Sequence, residues 1–226
     1  MYGHSGSIAP LFLSLALALA AGGAWAQGAE VLRHGSGDPA LGKQISETEL
    51  CQECHGADGR GTTAATPRLA GQFAAYLIKQ VWDFRSGARK HSVMSVIAPN
   101  IADEDLVDIA AYFARQEAPP GPHASAESGL LPAASPAVAR TLFEQGDAAR
   151  GIPACAACHG PDARGAVAGD VISPALRGQQ LAYLRGQMAS WKLGERRNDA
   201  TGQMNALAAK LSAEEIEALA EYLSRL

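Results

Sequence analysis

All four cysteines of the 226-residue chain fall in one pattern, and that pattern carries its chemistry. Cys51-Gln52-Glu53-Cys54-His55-Gly56 returns as Cys155-Ala156-Ala157-Cys158-His159-Gly160. Cys-x-x-Cys-His is the attachment pattern of a c-type haem: two thiols add to the vinyl groups, and the adjacent imidazole is carried beneath the iron as its proximal ligand. One helical turn sets both sulfurs along one edge of the ring and swings the next residue to the metal. Cys51, Cys54, Cys155 and Cys158 are therefore expected to bind two covalent haems, with His55 and His159 on the irons.

Other chemistries use the same residue types. Two Cys-x-x-Cys pairs make a zinc tetrad, but here the pairs lie over a hundred residues apart and each is followed by His. A thioredoxin-like dithiol wants a βαβ context, which the pattern does not offer. Disulfides within each pair leave the repeated histidine unexplained.

The sixth ligand decides what such an iron does. A thioether there favours ferrous iron, raises the potential and leaves no open position for a substrate. Met94 and Met204 occupy equivalent places, each ahead of the last amphipathic segment of its half. Met1 and Met188 have no such partner, and Met188 reads as core packing. His91, three residues before Met94, is a rival ligand in the first half, and the matching region near Thr201 offers no histidine. A carbonyl near Pro67 and one near Pro174 are candidates to accept the proximal Nδ1–H, and Arg85, Arg89, Lys192 and Arg196 are candidates to pair with propionates.

These residues must be positioned by two copies of one unit. The attachment motif repeats at an offset of 104, Pro67–Gln72 returns as Pro174–Gln179 at 107, and the Met94–Tyr112 segment returns as Met204–Tyr222 at 110. The growing offset places an insertion of three residues in the second post-motif loop. Leu106, Ile109, Ala110 and Phe113, like Ile216, Leu219, Ala220 and Leu223, recur at i, i+3, i+4, i+7, so each half ends in an amphipathic helix. Ser212 with Glu215 forms a capping box for the second, whereas the first has Ala102 there and is expected to shift its cap to Asp103. Further helices are expected from Phe73 to Phe84 and from Leu181 to Leu193. The Gly-rich loops show no strand alternation, so the fold class is all-α.

Residues 116–136 hold Pro119, Pro120, Gly121, Pro122, Pro132 and Pro136 and read as an extended linker. The domains are then 27–115 and 137–226. A hydrophobic fraction of 47% supports two packed cores, and at 6% aromatic a cofactor supplies part of the apolar bulk. The net charge of −4 includes no basic block of the kind a nucleic-acid binder needs.

Residues 1–26 read as an export signal: the apolar run Leu11 to Ala21 is followed by Ala24-Trp25-Ala26, a small-x-small site expected to be cut before Gln27. The start lacks Lys or Arg, so an uncleaved anchor is the competing reading. The run is short of the roughly 20 residues of a membrane span. The expected location is the periplasm, with the protein soluble or weakly membrane-associated.

From about Gly37 to Leu226, and most specifically from Gly146 to Gly160, the chain resembles the dihaem cytochrome c4 family. The resemblance implies two class I cytochrome c domains about a pseudo-twofold axis, propionates near their boundary, and His/Met ligation through His55 with Met94 and His159 with Met204. Lys43 to Leu50 depart from the family's Gly-rich approach to the motif, and Glu53 within it is unusual.

The expected function is electron transfer, from a quinol-oxidising complex to a terminal oxidase or, alternatively, as a cytochrome subunit draining a periplasmic dehydrogenase. A dihaem peroxidase needs one haem able to release its sixth ligand, with acid–base groups nearby. A gas or redox sensor needs a displaceable methionine in the first half.

Overall fold

The computed structural model describes residues 28–118, 135–169 and 171–226. The export segment 1–26 and most of the linker lie outside them. In the first half the helices are α1 (Pro39–Thr48), α2 (Cys51–His55), α3 (Ala74–Ser86), α4 (Met94–Ile97) and α5 (Asp103–Ala114), with helical residues 28–34 ahead of α1. The second half repeats the order as α6 (Pro136–Glu144), α7 (Ala156–His159), α8 (Leu181–Leu193), α9 (Gln203–Lys210) and α10 (Ala213–Arg225). The matched order is that of two mainly helical units in tandem.

Helices α1 and α6 begin alike, with Pro at the first helical position, where its missing N–H costs nothing. A side chain caps each: Asp38 accepts from Ala40 N, and Ser135 accepts from Ala137 N. The most extensive packing in each half is first helix against last, α1 on α5 and α6 on α10. The predicted stripe of α5 is buried at Leu106, Ile109, Ala110 and Phe113, and that of α10 at Ile216, Leu219, Ala220 and Leu223. Met188 packs against the second core, as the sequence suggested.

The capping box at Ser212 and Glu215 is formed in full. The expected shift to Asp103 is not: Ala102 occupies the N-cap of α5 without a side-chain bond. Asp103, Glu104 and Asp105 fill the first turn instead, where carboxylates meet the positive end of the helix dipole. The second departure is a small antiparallel hairpin, β1 (Ala166–Ala168) with β2 (Val171–Ser173). It occupies the loop carrying the three-residue insertion, and the added length lets the chain fold back and pair with itself.

The α10 stripe hides one charge that periodicity did not reveal. Glu217 is 1% exposed and accepts from Arg185 Nη2 at 2.7 Å. At the corresponding positions the first half has Ile78 and Val107, so the same α3–α5 contact is apolar there. Among the described residues no helix is long and apolar enough to cross a membrane.

Candidate functional site

In the first half the two cysteines and His55 share the single turn α2, entered through Leu50 in a left-handed conformation (φ 57°). The second half reaches its motif differently. There Asp147 bridges to Ile152 around the 3-10 turn Ala148–Arg150, and Cys155 is the N-cap of α7. This is where Lys43–Leu50 depart from the Gly-rich approach: α1 runs to Thr48 and the chain enters Cys51 through Leu50 with no such turn between.

Both histidines are held in the same way. His55 Nδ1 lies 2.9 Å from Pro67 O, and His159 Nδ1 lies 2.9 Å from Pro174 O. The proton on Nδ1 goes to the carbonyl, which leaves the Nε2 lone pair as the ring's acceptor. Burial pushes both imidazoles toward the neutral form, against the opposing pull of those carbonyls. A neutral imidazole with its Nε2 lone pair free is the form that ligates iron.

The thiols fit the same purpose. All four are free, Cys54 and Cys158 are exposed, and Cys51 and Cys155 are half-buried with their pKa values pushed up to about 11 by burial. Leu69, Leu77, Ile78, Val81 and Ile97 pack partly buried on the first core, and Leu176, Leu181 and Leu207 on the second. Each half thus supplies two thiols, one neutral imidazole and an apolar wall, a donor set that suits a covalently attached porphyrin. Among the described residues no three His, Cys, Asp or Glu side chains converge to hold a bare ion.

The two methionine segments match in placement. Met94 opens α4 and Met204 lies in the first turn of α9, and both side chains are half-buried. Each backbone N–H is met by a side chain: Met94 N donates to His91 Nδ1 at 3.3 Å, and Met204 N donates to Asp199 Oδ2 at 2.8 Å. His91, the rival ligand, therefore turns Nδ1 back onto its own chain, where it also accepts from Val93 N.

Two of the four propionate candidates are spent on structure. Arg85 donates to Ala98 O, Ile101 O and Asp103, and Lys192 donates to Leu211 O. Both tie the chain ahead of the last helix of their half to the preceding long helix. The other two reach across the molecule. Arg89 donates to Gln80 Oε1 at 2.8 Å, Tyr183 Oη at 2.9 Å and Gln187 Oε1 at 2.7 Å. Arg196 donates to Gln187 Oε1 at 2.7 Å, Tyr76 Oη at 3.1 Å and Gln80 Oε1 at 3.2 Å. All three residue types recur at the offset 107, so each bond has its mirror in the other half.

Each of these guanidiniums also lies over an aromatic ring of its own half, Phe84 at 4.7 Å and Trp191 at 4.4 Å. Both arginines are buried, with neutral oxygens as their recorded partners. Burial raises the Tyr183 phenol, and the two guanidiniums outweigh it, leaving its pKa below the ordinary tyrosine range.

A second reciprocal clasp uses Gln72 and Gln179. Gln72 Nε2 donates to Ala175 O and its Oε1 accepts from Ala175 N, both at 3.0 Å. Gln179 Nε2 donates to Arg68 O at 2.9 Å and its Oε1 accepts from Arg68 N at 2.7 Å. Each glutamine thereby pairs with one backbone unit of the other half. Replacing Gln179 by Ala leaves the Arg68 N–H and C=O unpaired, a loss expected at about 2 kcal/mol. Guanidinium denaturation of the holoprotein checks this, with Gln72→Ala expected to match it. Two variants within a few tenths of a kcal/mol of wild type would mean that water replaces the clasp at no cost.

Sequence reasoning singled out Arg89 and Arg196 only as propionate candidates and did not mark Gln72, Tyr76, Gln80 or their counterparts as boundary residues. The available signal was a set of polar residues, Gln72, Tyr76, Gln80 and Arg89, duplicated at one constant offset, with only Ala75, Leu77 and Gly87 recurring among the residues between them.

Comparison with known proteins agrees with this geometry. A family model described as cytochrome c matches residues 39–116 and again 139–226. Cytochrome c4 of Pseudomonas aeruginosa is 40% identical over 197 residues, spanning 86% of this chain and 92% of that protein. A thiosulfate dehydrogenase electron acceptor of Stutzerimonas stutzeri is 40% identical over 200 residues, spanning 88% of this chain and 86% of its own length. The crystal structure of reduced recombinant cytochrome c4 from Pseudomonas stutzeri superposes with a TM-score of 0.73 at 36% identity, covering 84% of this chain and all of that one.

Proposed function

The chain belongs to the cytochrome c family, as a two-haem electron-transfer member of the cytochrome c4 type, and from that premise we propose that it is a periplasmic shuttle with both irons six-coordinate. His55 with Met94 and His159 with Met204 are the axial pairs of this reading. A c-type haem supplies the one-electron ferric–ferrous couple. The residues of the chain do the rest. The Pro67 and Pro174 carbonyls orient the imidazoles, the apolar walls exclude water, and Met94 and Met204 would hold the irons with His55 and His159, leaving no open position for a substrate.

The observation that carries this reading is the equivalence of the two methionine segments. They have the same placement ahead of the last helix, the same partial burial, and a side chain bonded to each methionine N–H. A peroxidase builds its two halves for unlike tasks, and this likeness favours two like electron sites.

For direction of flow, the reading is from a quinol-oxidising complex to a terminal oxidase. A second reading, acceptor for a periplasmic dehydrogenase, is favoured by the 40% identical relative whose name is thiosulfate dehydrogenase electron acceptor. Residues 1–26 are the export signal of both readings, and 27–115 and 137–226 are the two working domains.

The visible spectrum of the purified ferric protein tests the axial ligands. Two equivalents of the weak far-red band given by sulfur-bonded ferric iron, with little uptake of cyanide, are expected. One equivalent, or rapid consumption of peroxide, would overturn the symmetric carrier. Stopped-flow reduction by a membrane quinol-oxidising preparation, set against reduction by a thiosulfate dehydrogenase, separates the two donors.

A further inference from the structure

We propose that the cleft where the two halves meet binds a small tetrahedral oxyanion of the sulfate, thiosulfate and phosphate class. Four arginines line it, two from each half: Arg33 and Arg68, and Arg164 and Arg177. No Asp or Glu is among the lining residues. Among the described residues none of the four forms an ion pair with a carboxylate. Four unpaired cations around one cleft, in a chain whose net charge is −4, make a local field opposite to that of the whole protein.

Their surroundings hold them there. Arg33 stacks on the Phe73 ring at 4.3 Å, and Phe73 is itself buried at the boundary. Arg68 donates through Nη1 to Gly178 O, while its Nε–H is buried with no acceptor. A buried donor without an acceptor is costly, and an anion oxygen is the acceptor that a guanidinium satisfies best. Burial, and then the neighbouring Arg60, lower the Arg68 pKa, the direction expected of a cation short of counter-charge.

The cavity holds about 50 Å³, several times what one water needs, so it has room for a small anion. Planar guanidinium forks match the oxygen pairs of such an ion. Gln72 and Gln179 also line the cleft, and their amides are already engaged in the reciprocal clasp. The anion would therefore draw its binding from the arginines, two from each half, and staple the halves together. This inference goes beyond the electron-transfer reading and does not depend on which residues cap the irons.

The test is calorimetric titration of the reduced holoprotein with sodium sulfate at an ionic strength held constant with chloride. Thiosulfate and phosphate arms identify which member of the class binds best. One saturable equivalent per chain is expected. Arg164→Gln and Arg177→Gln, whose side chains make no recorded hydrogen bond, should each weaken it on the order of tenfold, the loss of one charge-assisted contact. Arg140→Gln, an exposed arginine away from the cleft, should leave it unchanged. Three results would overturn the proposal: no saturable heat up to tens of millimolar sulfate, binding untouched by both cleft variants, or equal weakening by Arg140→Gln.

Discussion

Exchange of Met204 for Ala is expected to lower the reduction potential of the second haem by a large part of the roughly 0.8 V range that axial ligands span, and to halve the far-red band of the ferric protein. The physical reason is the thioether's preference for ferrous iron. Where Met204 supplies that thioether, its removal would leave water or a foreign ligand on the iron, and both of these favour the ferric state more. Met94→Ala should do the same to the first haem and leave the second within a small shift of wild type. In both variants the reduced protein should take up carbon monoxide, and the wild type should not. His91→Asn supplies the control, because His91 contacts the Met94 amide and belongs to the rival reading. If the first haem of the wild type shows no far-red band, and His91→Asn shifts its potential while Met94→Ala leaves it unchanged, the ligand is His91. Spectroelectrochemical titration of all three variants decides the matter.

The second large effect is expected at the α1–α5 crossing, where Gly42→Ala should destabilise the protein by about 3 kcal/mol. A methyl group at Gly42 would stand 2.0 Å from Asp108 O and 2.3 Å from Asp108 C. These are backbone atoms of a helix and cannot swing aside, so the two helices must separate along the whole contact. Alanine's better helix propensity returns only about 0.5–1 kcal/mol of the loss. Counted from the prolines that start α1 and α6, the second half has Ala139 at this position, fully buried and accommodated. Ala139→Gly should therefore cost about 1 kcal/mol, through helix propensity and the lost methyl. Equilibrium denaturation followed by far-ultraviolet circular dichroism measures both. A Gly42→Ala protein as stable as wild type would show that α1 and α5 do not approach this closely in solution.

The boundary between the halves gives these local effects a wider reach. Arg89 and Arg196 each bind side chains of both units, and Gln72 and Gln179 each grip the other unit's backbone. The two attachment loops are thus joined by direct hydrogen bonds. Pro67, whose carbonyl orients His55, directly precedes Arg68, whose backbone pairs with Gln179.

The chemistry was legible along the chain because it is local. The cysteines and histidine of each motif lie within five residues, and helix geometry alone sets their relative positions. The duplication, the amphipathic stripes of α5 and α10 and the capping box at Ser212 were readable for the same reason: each depends on spacings of a few residues or on comparing one half with the other. The hairpin at Ala166–Ser173 was not, since its residues show no alternation and pair only because the lengthened loop brings them face to face. The buried Glu217 escaped for a related reason, because what makes it tolerable is Arg185, on another helix.

The pose of the two units was decided by tertiary structure alone. Nothing in the local sequence distinguishes an exposed Gln179 from one that completes a backbone pair more than a hundred residues away. The same holds for Arg89 and Arg196, which as isolated residues read as solvated cations or propionate partners and in the fold become a buried reciprocal pair. A hydrogen bond forms only where donor and acceptor meet, and for residues in separate repeats that meeting is set by how two finished surfaces fit.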